Sequence, residues 1–271
     1  MTHPERSTPI IETRHLRRAF GELVAVDDLM LAVERGCIFG LLGPNGAGKS
    51  TTVKMLTTLL PPTSGEARVA GFDVVRDAAQ VRRHIGYVPQ MLSADGALTG
   101  RENLLFSARL YRIPRAERDQ RIDAALAFMD LEAAAGQLVR TYSGGMIRRL
   151  ELAQAMLHEP QVLFLDEPTI GLDPVARLAV SERLLDLKRR TGMTILLTTH
   201  DMEEADELCD VLAIMHQGAV VALGAPAQLK AAIGEEATLD DVFIHFAGGA
   251  IEDGGSYRDV RRLRSTARRL G

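Results

Sequence analysis

The chain has 271 residues, of which 46 % are hydrophobic, a formal net charge of −4 and two cysteines. That length bounds it to one large α/β domain or two modest ones with a sizeable core, and the net negative charge argues against a general nucleic-acid binder. No run approaches the roughly 18 apolar residues needed to span a bilayer and the polar start MTHPERSTP carries no apolar signal segment, so a cytoplasmic location is expected.

After a polar tail, residues 1–9, strands are expected near Ile10–Phe20 and Val24–Val33, as an antiparallel flank. The apolar run Ile38–Leu42 follows, with Cys37 at its start. Cys37 and Cys209 both sit in apolar stretches, which favours small buried hydrophobes over a disulfide or metal pair. Directly after the run comes Gly43-Pro44-Asn45-Gly46-Ala47-Gly48-Lys49-Ser50-Thr51, which fits Gly, four residues, Gly, Lys, Ser or Thr. The glycines let the backbone curl so that successive N–H groups face phosphates. Lys49 meets β- and γ-phosphate charge, and the Ser50 hydroxyl suits Mg²⁺. The chain therefore binds a nucleoside triphosphate.

Strand signals give way to helical ones over about 91–141, an insertion in the core. Thr99 and Glu102 have capping-box spacing before Leu104, Leu105, Ala108 and Tyr111, and Pro114 opens a second helix with Ile122, Ala125, Leu126 and Met129 on one face. Tyr142-Ser143-Gly144-Gly145-Met146 then precedes a helix striped by Leu150, Ala153 and Leu157. Such a turn offers free N–H groups, a hydroxyl and a positive dipole end to an anion, although a plain Ser143 cap reads the same way.

The run Val162–Leu165 ends in Asp166 and Glu167, two carboxylates delivered to the carboxyl end of a buried strand, where ligands of open α/β sheets bind. Asp166 suits a Mg²⁺ shell and Glu167 an attacking water. By itself the run is also an ordinary strand end; beside the phosphate loop it gains meaning. Further strands are expected at Ile195–Thr199 and Val211–Met215, the latter joined by a Gly218 turn to Ala219–Leu223 as a hairpin. Thr238 and Asp241 cap a last helix carrying Leu239, Val242, Phe243 and Phe246. The segment 256–271 has six Arg and one Asp, a basic stretch suited either to anionic lipid or to solvent.

Taken in order, these motifs resemble the nucleotide-binding subunit of an ATP-binding cassette transporter, over roughly residues 10–246. The resemblance implies a P-loop NTPase fold: a mainly parallel sheet, an antiparallel β flank and an inserted α-helical subdomain, with 247–271 as a basic tail. It makes residues 43–51 the Walker A loop, Val162–Asp166 Walker B and Glu167 the catalytic carboxylate. Ser143, Gly144 and Gly145 become the signature turn that contacts ATP held by a second copy. Gln90, an ordinary loop residue by spacing, matches the Gln that senses Mg²⁺ and the membrane partner; Asp173 matches a dimer-contacting loop and His200 the histidine that contacts the γ-phosphate. Phe20 resembles the aromatic that stacks on adenine, and its other reading is a core aromatic.

Tyr142 and Met146 depart from the usual Leu and Gln of the signature. With Arg148-Arg149-Leu150 and Leu239–Phe243, they are similar to ATPases of daunorubicin-resistance-type drug, antibiotic and lipid exporters. The implied function is ATP hydrolysis that energises export. The implied partners are a separate membrane-spanning permease and a second copy of the chain, at the cytoplasmic side of the membrane, with ATP and Mg²⁺ as cofactors and no nucleic acid. A soluble cassette ATPase of DNA maintenance is the alternative; it calls for a coiled-coil or zinc-binding insertion that the sequence lacks.

Overall fold

The computed structural model describes residues 8–247. Strands β1 (Ile11–Phe20) and β2 (Leu23–Val33) pair antiparallel and turn at Gly21. Next come β3 (Ile38–Leu42), α1 (Lys49–Leu56), β4 (Ser64–Val69), the two-residue β5 (Phe72–Asp73), α2 (Ala78–His84) and β6 (Ile85–Val88). The helical stretch holds α3 (Gly100–Leu110) and α4 (Arg115–Phe128) and returns through α5 (Gly144–Met156) to β7 (Val162–Asp166). It continues with α6 (Pro174–Thr191), β8 (Thr194–Thr199), α7 (Met202–Leu208), β9 (Val211–His216), β10 (Ala219–Gly224), α8 (Pro226–Ala231) and α9 (Leu239–Ala247).

The strands form two sheets. One has six strands in the order β10-β9-β3-β8-β7-β6, parallel except for β10 at the edge; the other has four, β2-β1-β4-β5, all antiparallel. Side chains alternate across a strand, so a strand covered on both faces reads as a continuous apolar run. β3 and β7 do this: Ile38, Leu42, Leu163 and Leu165 pack with the helices of one layer, while Phe39, Leu41, Val162 and Phe164 pack against the four-stranded sheet. Truncating the fully buried Phe164 to Ala would cost about 3–5 kcal/mol.

Local chemistry sets the element ends. Thr99 and Glu102 form a reciprocal capping box on α3, and Thr238 and Asp241 make the same exchange ahead of α9. Pro114 stands just outside α4 as its cap, and Ile122, Leu126 and Met129 are buried along one face. β9 and β10 turn through Gln217 and Gly218, both at positive φ, as a tight hairpin requires. The β1–β2 flank is larger than the sequence suggests, because β4 and β5 complete its sheet. β4 escaped notice because only Ala67 and Val69 of its six residues turn a hydrophobic side chain inward. Cys209 is buried as expected, and Cys37, only half-buried, donates to the Glu34 carbonyl. The basic stretch 256–271 lies outside the described residues.

Candidate active site

Four parallel strands end on one rim: β3 runs into the 43–51 loop, β6 toward Gln90, β7 into Asp166 and Glu167, and β8 into His200. This is where an open α/β sheet binds ligands. Gly48 caps α1 at φ 102°, and a Cβ there would lie 2.4 Å from the Ala25 carbonyl oxygen; a Cβ on Gly43 would lie 2.3 Å from that of Met215. Neither position accepts a side chain. Among the described residues the backbone N–H groups of Gly46, Gly48, Lys49 and Ser50 donate to no acceptor, which leaves a row of free donors at the positive end of a helix. The Lys49 ammonium, 4 % exposed, donates to the carbonyls of Gly43 (2.7 Å) and Pro44 (3.1 Å). Burial pushes its pKa down, and the Glu167 carboxylate opposes that shift.

Glu167 is the hub. Its Oε1 lies 3.6 Å from Lys49 Nζ and 3.2 Å from His200 Nδ1, and its Oε2 accepts from Gln90 Nε2 at 3.0 Å. Its backbone sits at φ 50°, a left-handed conformation costing about 1–3 kcal/mol for a non-glycine residue, and its N–H donates to Thr198 Oγ1 at 3.0 Å. Asp166 Oδ1 accepts from Ser50 Oγ at 2.9 Å and from Thr198 Oγ1 at 2.7 Å. So Lys49, Ser50, Gln90, Asp166, Glu167 and His200 come together as the sequence suggests. Thr198 joins them unforeseen, as the hydroxyl that steadies both neighbouring acids.

Three expected features stand apart from that cluster. Ser143 caps α5 by accepting from Met146 N at 3.2 Å; Ser143 and Gly144 are exposed. Among the described residues no hydrogen bond joins Ser143, Gly144 or Gly145 to the 43–51 loop. Behind them the turn packs on the segment after β7, since a Cβ on Gly145 would meet Ala176 at 2.7 Å. Asp173 is exposed too and caps α6 by accepting from Ala176 N at 2.9 Å. Phe20 is 45 % exposed, which corrects its reading as a core aromatic; the Arg18 guanidinium covers its ring at 4.5 Å. The hairpin that bears it runs beside the phosphate loop, at Ala25 against Gly48.

The family profile described as "ABC transporter" matches residues 26–170. The chain is 45 % identical over 223 residues to the Nod factor export ATP-binding protein I of Ralstonia nicotianae, a match covering 82 % of this chain and 69 % of that protein. It is 44 % identical over 233 residues to the daunorubicin/doxorubicin resistance ATP-binding protein of Streptomyces peucetius, covering 86 % and 69 %. A solved ATP-binding subunit of an ABC transporter superposes with TM-score 0.78 at 32 % identity, over 88 % of this chain and 99 % of that one.

The chain belongs to the ABC transporter family. It is the ATP-binding subunit of such a transporter, an ATPase on a P-loop NTPase fold. The oxygens beside the loop fit a hard divalent cation: a hydroxyl and a carboxylate 2.9 Å apart. Among the described residues no group of three His, Cys, Asp or Glu could hold a metal, and water or nucleotide oxygens would complete the shell of such a cation.

Proposed function

We propose that this ATPase energises an exporter, working as a pair of identical copies docked on a separate membrane-spanning subunit at the cytoplasmic side of the membrane. The observation that carries the reading is the meeting of Lys49, Gln90 and His200 on one Glu167 carboxylate beside a row of unpaired loop N–H groups. Lys49 and the loop N–H groups bind the phosphates of ATP. Ser50, Gln90 and Asp166 would hold Mg²⁺, which when bound neutralises phosphate oxygens. Glu167 orients and polarises the attacking water, and His200 and Gln90 hold its carboxylate in place for that task. Phe20 offers adenine a stacking face. Ser143 and Gly144, exposed and separate from the loop, complete the site of the other copy together with the buried Gly145 behind them, with Asp173 at the contact between the two.

Export as the direction is supported by relatives named for Nod factor export and for drug resistance. Among the described residues no helix is long and apolar enough to cross a membrane. Met91 and Leu92, next to Gln90, and Phe106 and Leu110, on α3, are exposed apolar side chains that offer contacts to the membrane subunit.

Glu167→Gln tests the reading. It keeps the phosphate cradle and removes the charge on the water, so kcat should fall about 100-fold or more while ATP affinity holds and ATP-bound dimers accumulate on sizing. Turnover within about threefold of wild type would remove Glu167 from that role.

A further inference from the structure

Arg148 and Glu151 lie one turn apart on α5 and are among the most buried charged groups of the chain, at 1 % and 3 % exposed. A buried ion pair is expensive to desolvate and is a weak source of stability, so its partners are informative. Arg148 spends its guanidinium on main chain: one terminal nitrogen donates to the Pro89 carbonyl at 2.7 Å and to Glu151 Oε2 at 3.0 Å, the other to the Gln90 carbonyl at 2.8 Å. Glu151 Oε1 accepts from the N–H of Ser93 and from its hydroxyl. Both ends of the stretch 89–93 are thus fastened to one face of α5. The side chain of Gln90 leaves that stretch toward Glu167, and the N-terminus of α5 is the Ser143–Gly145 turn.

We propose that Arg148 and Glu151 are a positioning pair that makes the Gln90 segment and the Ser143–Gly145 turn move as one body. The approach of Gln90 to Glu167 and the presentation of the turn to the other copy are then set together. The proposal rests on Gln90 acting on Glu167, as argued above. Arginine suits the task because the two terminal nitrogens of its planar fork hold the Pro89 and Gln90 carbonyls and the Glu151 carboxylate together in a fixed geometry.

The test is a mutant cycle on ATP hydrolysis by the full chain. Arg148→Met paired with Glu151→Leu removes both charges together, so neither is left as an unpaired charge, and releases the Pro89 and Gln90 carbonyls and the Ser93 N–H from the helix. It should lower kcat about tenfold, hold KM for ATP within about twofold, and keep a cooperative thermal transition. Placed in a Gln90→Ala background, the same pair should cost less than a further twofold, because its effect runs through Gln90. Arg148→Lys alone should recover only part of the rate. Losses that multiply in the Gln90→Ala background, a rise in KM without loss of kcat, or failure of the doubly apolar variant to fold would each overturn the positioning role. A Gln90→Ala chain with wild-type turnover would instead sink the underlying reading of Gln90.

Discussion

The rim where the parallel strands end and the turn at Ser143 both place glycines at the N-terminus of a helix, yet they are built in opposite ways. At the rim, Lys49, Asp166 and Glu167 are buried to within a few per cent and held by one another, by Thr198 and by loop carbonyls. The turn is exposed at Ser143 and Gly144, and its one side-chain hydrogen bond caps its own helix. Charged groups in a buried cluster need partners from the same chain, whereas a helix start left open can be satisfied from outside. The contrast is what the proposed shared site calls for, one made within one chain and finished by another.

The largest test of that contrast is a mixing experiment. Lys49→Ala removes phosphate charge at the rim and Ser143→Arg blocks the turn, so each pure variant should be inactive. An equal mixture should form heterodimers in which both lesions share one site and leave the other intact, with activity returning to at most roughly a quarter of wild type by random pairing. A mixture that stays dead, while crosslinking shows heterodimers, breaks the contrast. Phe20→Ala sharpens it at the rim's edge. Losing the stacking face should weaken ATP binding by about 1–2 kcal/mol, with kcat unchanged, as fluorescent-nucleotide titration would read. Unchanged affinity in a folded variant would assign the ring to Arg18 instead of adenine.

The smallest effect concerns how α5 is anchored behind the turn. His158, just past its end, stacks on Tyr111 at 3.7 Å and bonds through Nε2 to the Ile85 carbonyl at 2.9 Å, while its Nδ1 is buried with no partner. Burial lowers its pKa below the ordinary 6.5, with Arg121 and His84 adding to the shift. The unfolded chain therefore binds this proton better, so the contribution is full above pH 6.5 and is lost as pH falls below it. The urea midpoint should drop more between pH 7.5 and 5.5 for wild type than for His158→Gln; equal drops would remove His158 as the cause.

Much of this was legible because its signals are local. The 43–51 loop, the Asp166-Glu167 pair and the Thr99–Glu102 box each carry their chemistry within a few residues, and the alternation of α and β runs implied the parallel core. β4 and β5 were not, since a six-residue strand with two inward apolar side chains and a two-residue strand leave almost no periodicity. Nor was Thr198, whose partner Asp166 is 32 residues away, or the grip of Arg148 on Gln90 across 58. In such pairs the chemistry belongs to the contact, and neither residue alone announces it.

The sheet order has a consequence for how the chain is made. β3 carries the 43–51 loop at its end and, among the described residues, hydrogen-bonds only to β8 and β9, so on a ribosome it waits for about 150 further residues before a partner strand exists, roughly 8–30 s at ordinary synthesis rates. Throughout that interval five consecutive residues destined for full burial stand in a nascent segment with an unpaired strand edge. Ile38–Leu42 is thus a stretch on which a chaperone would act during synthesis.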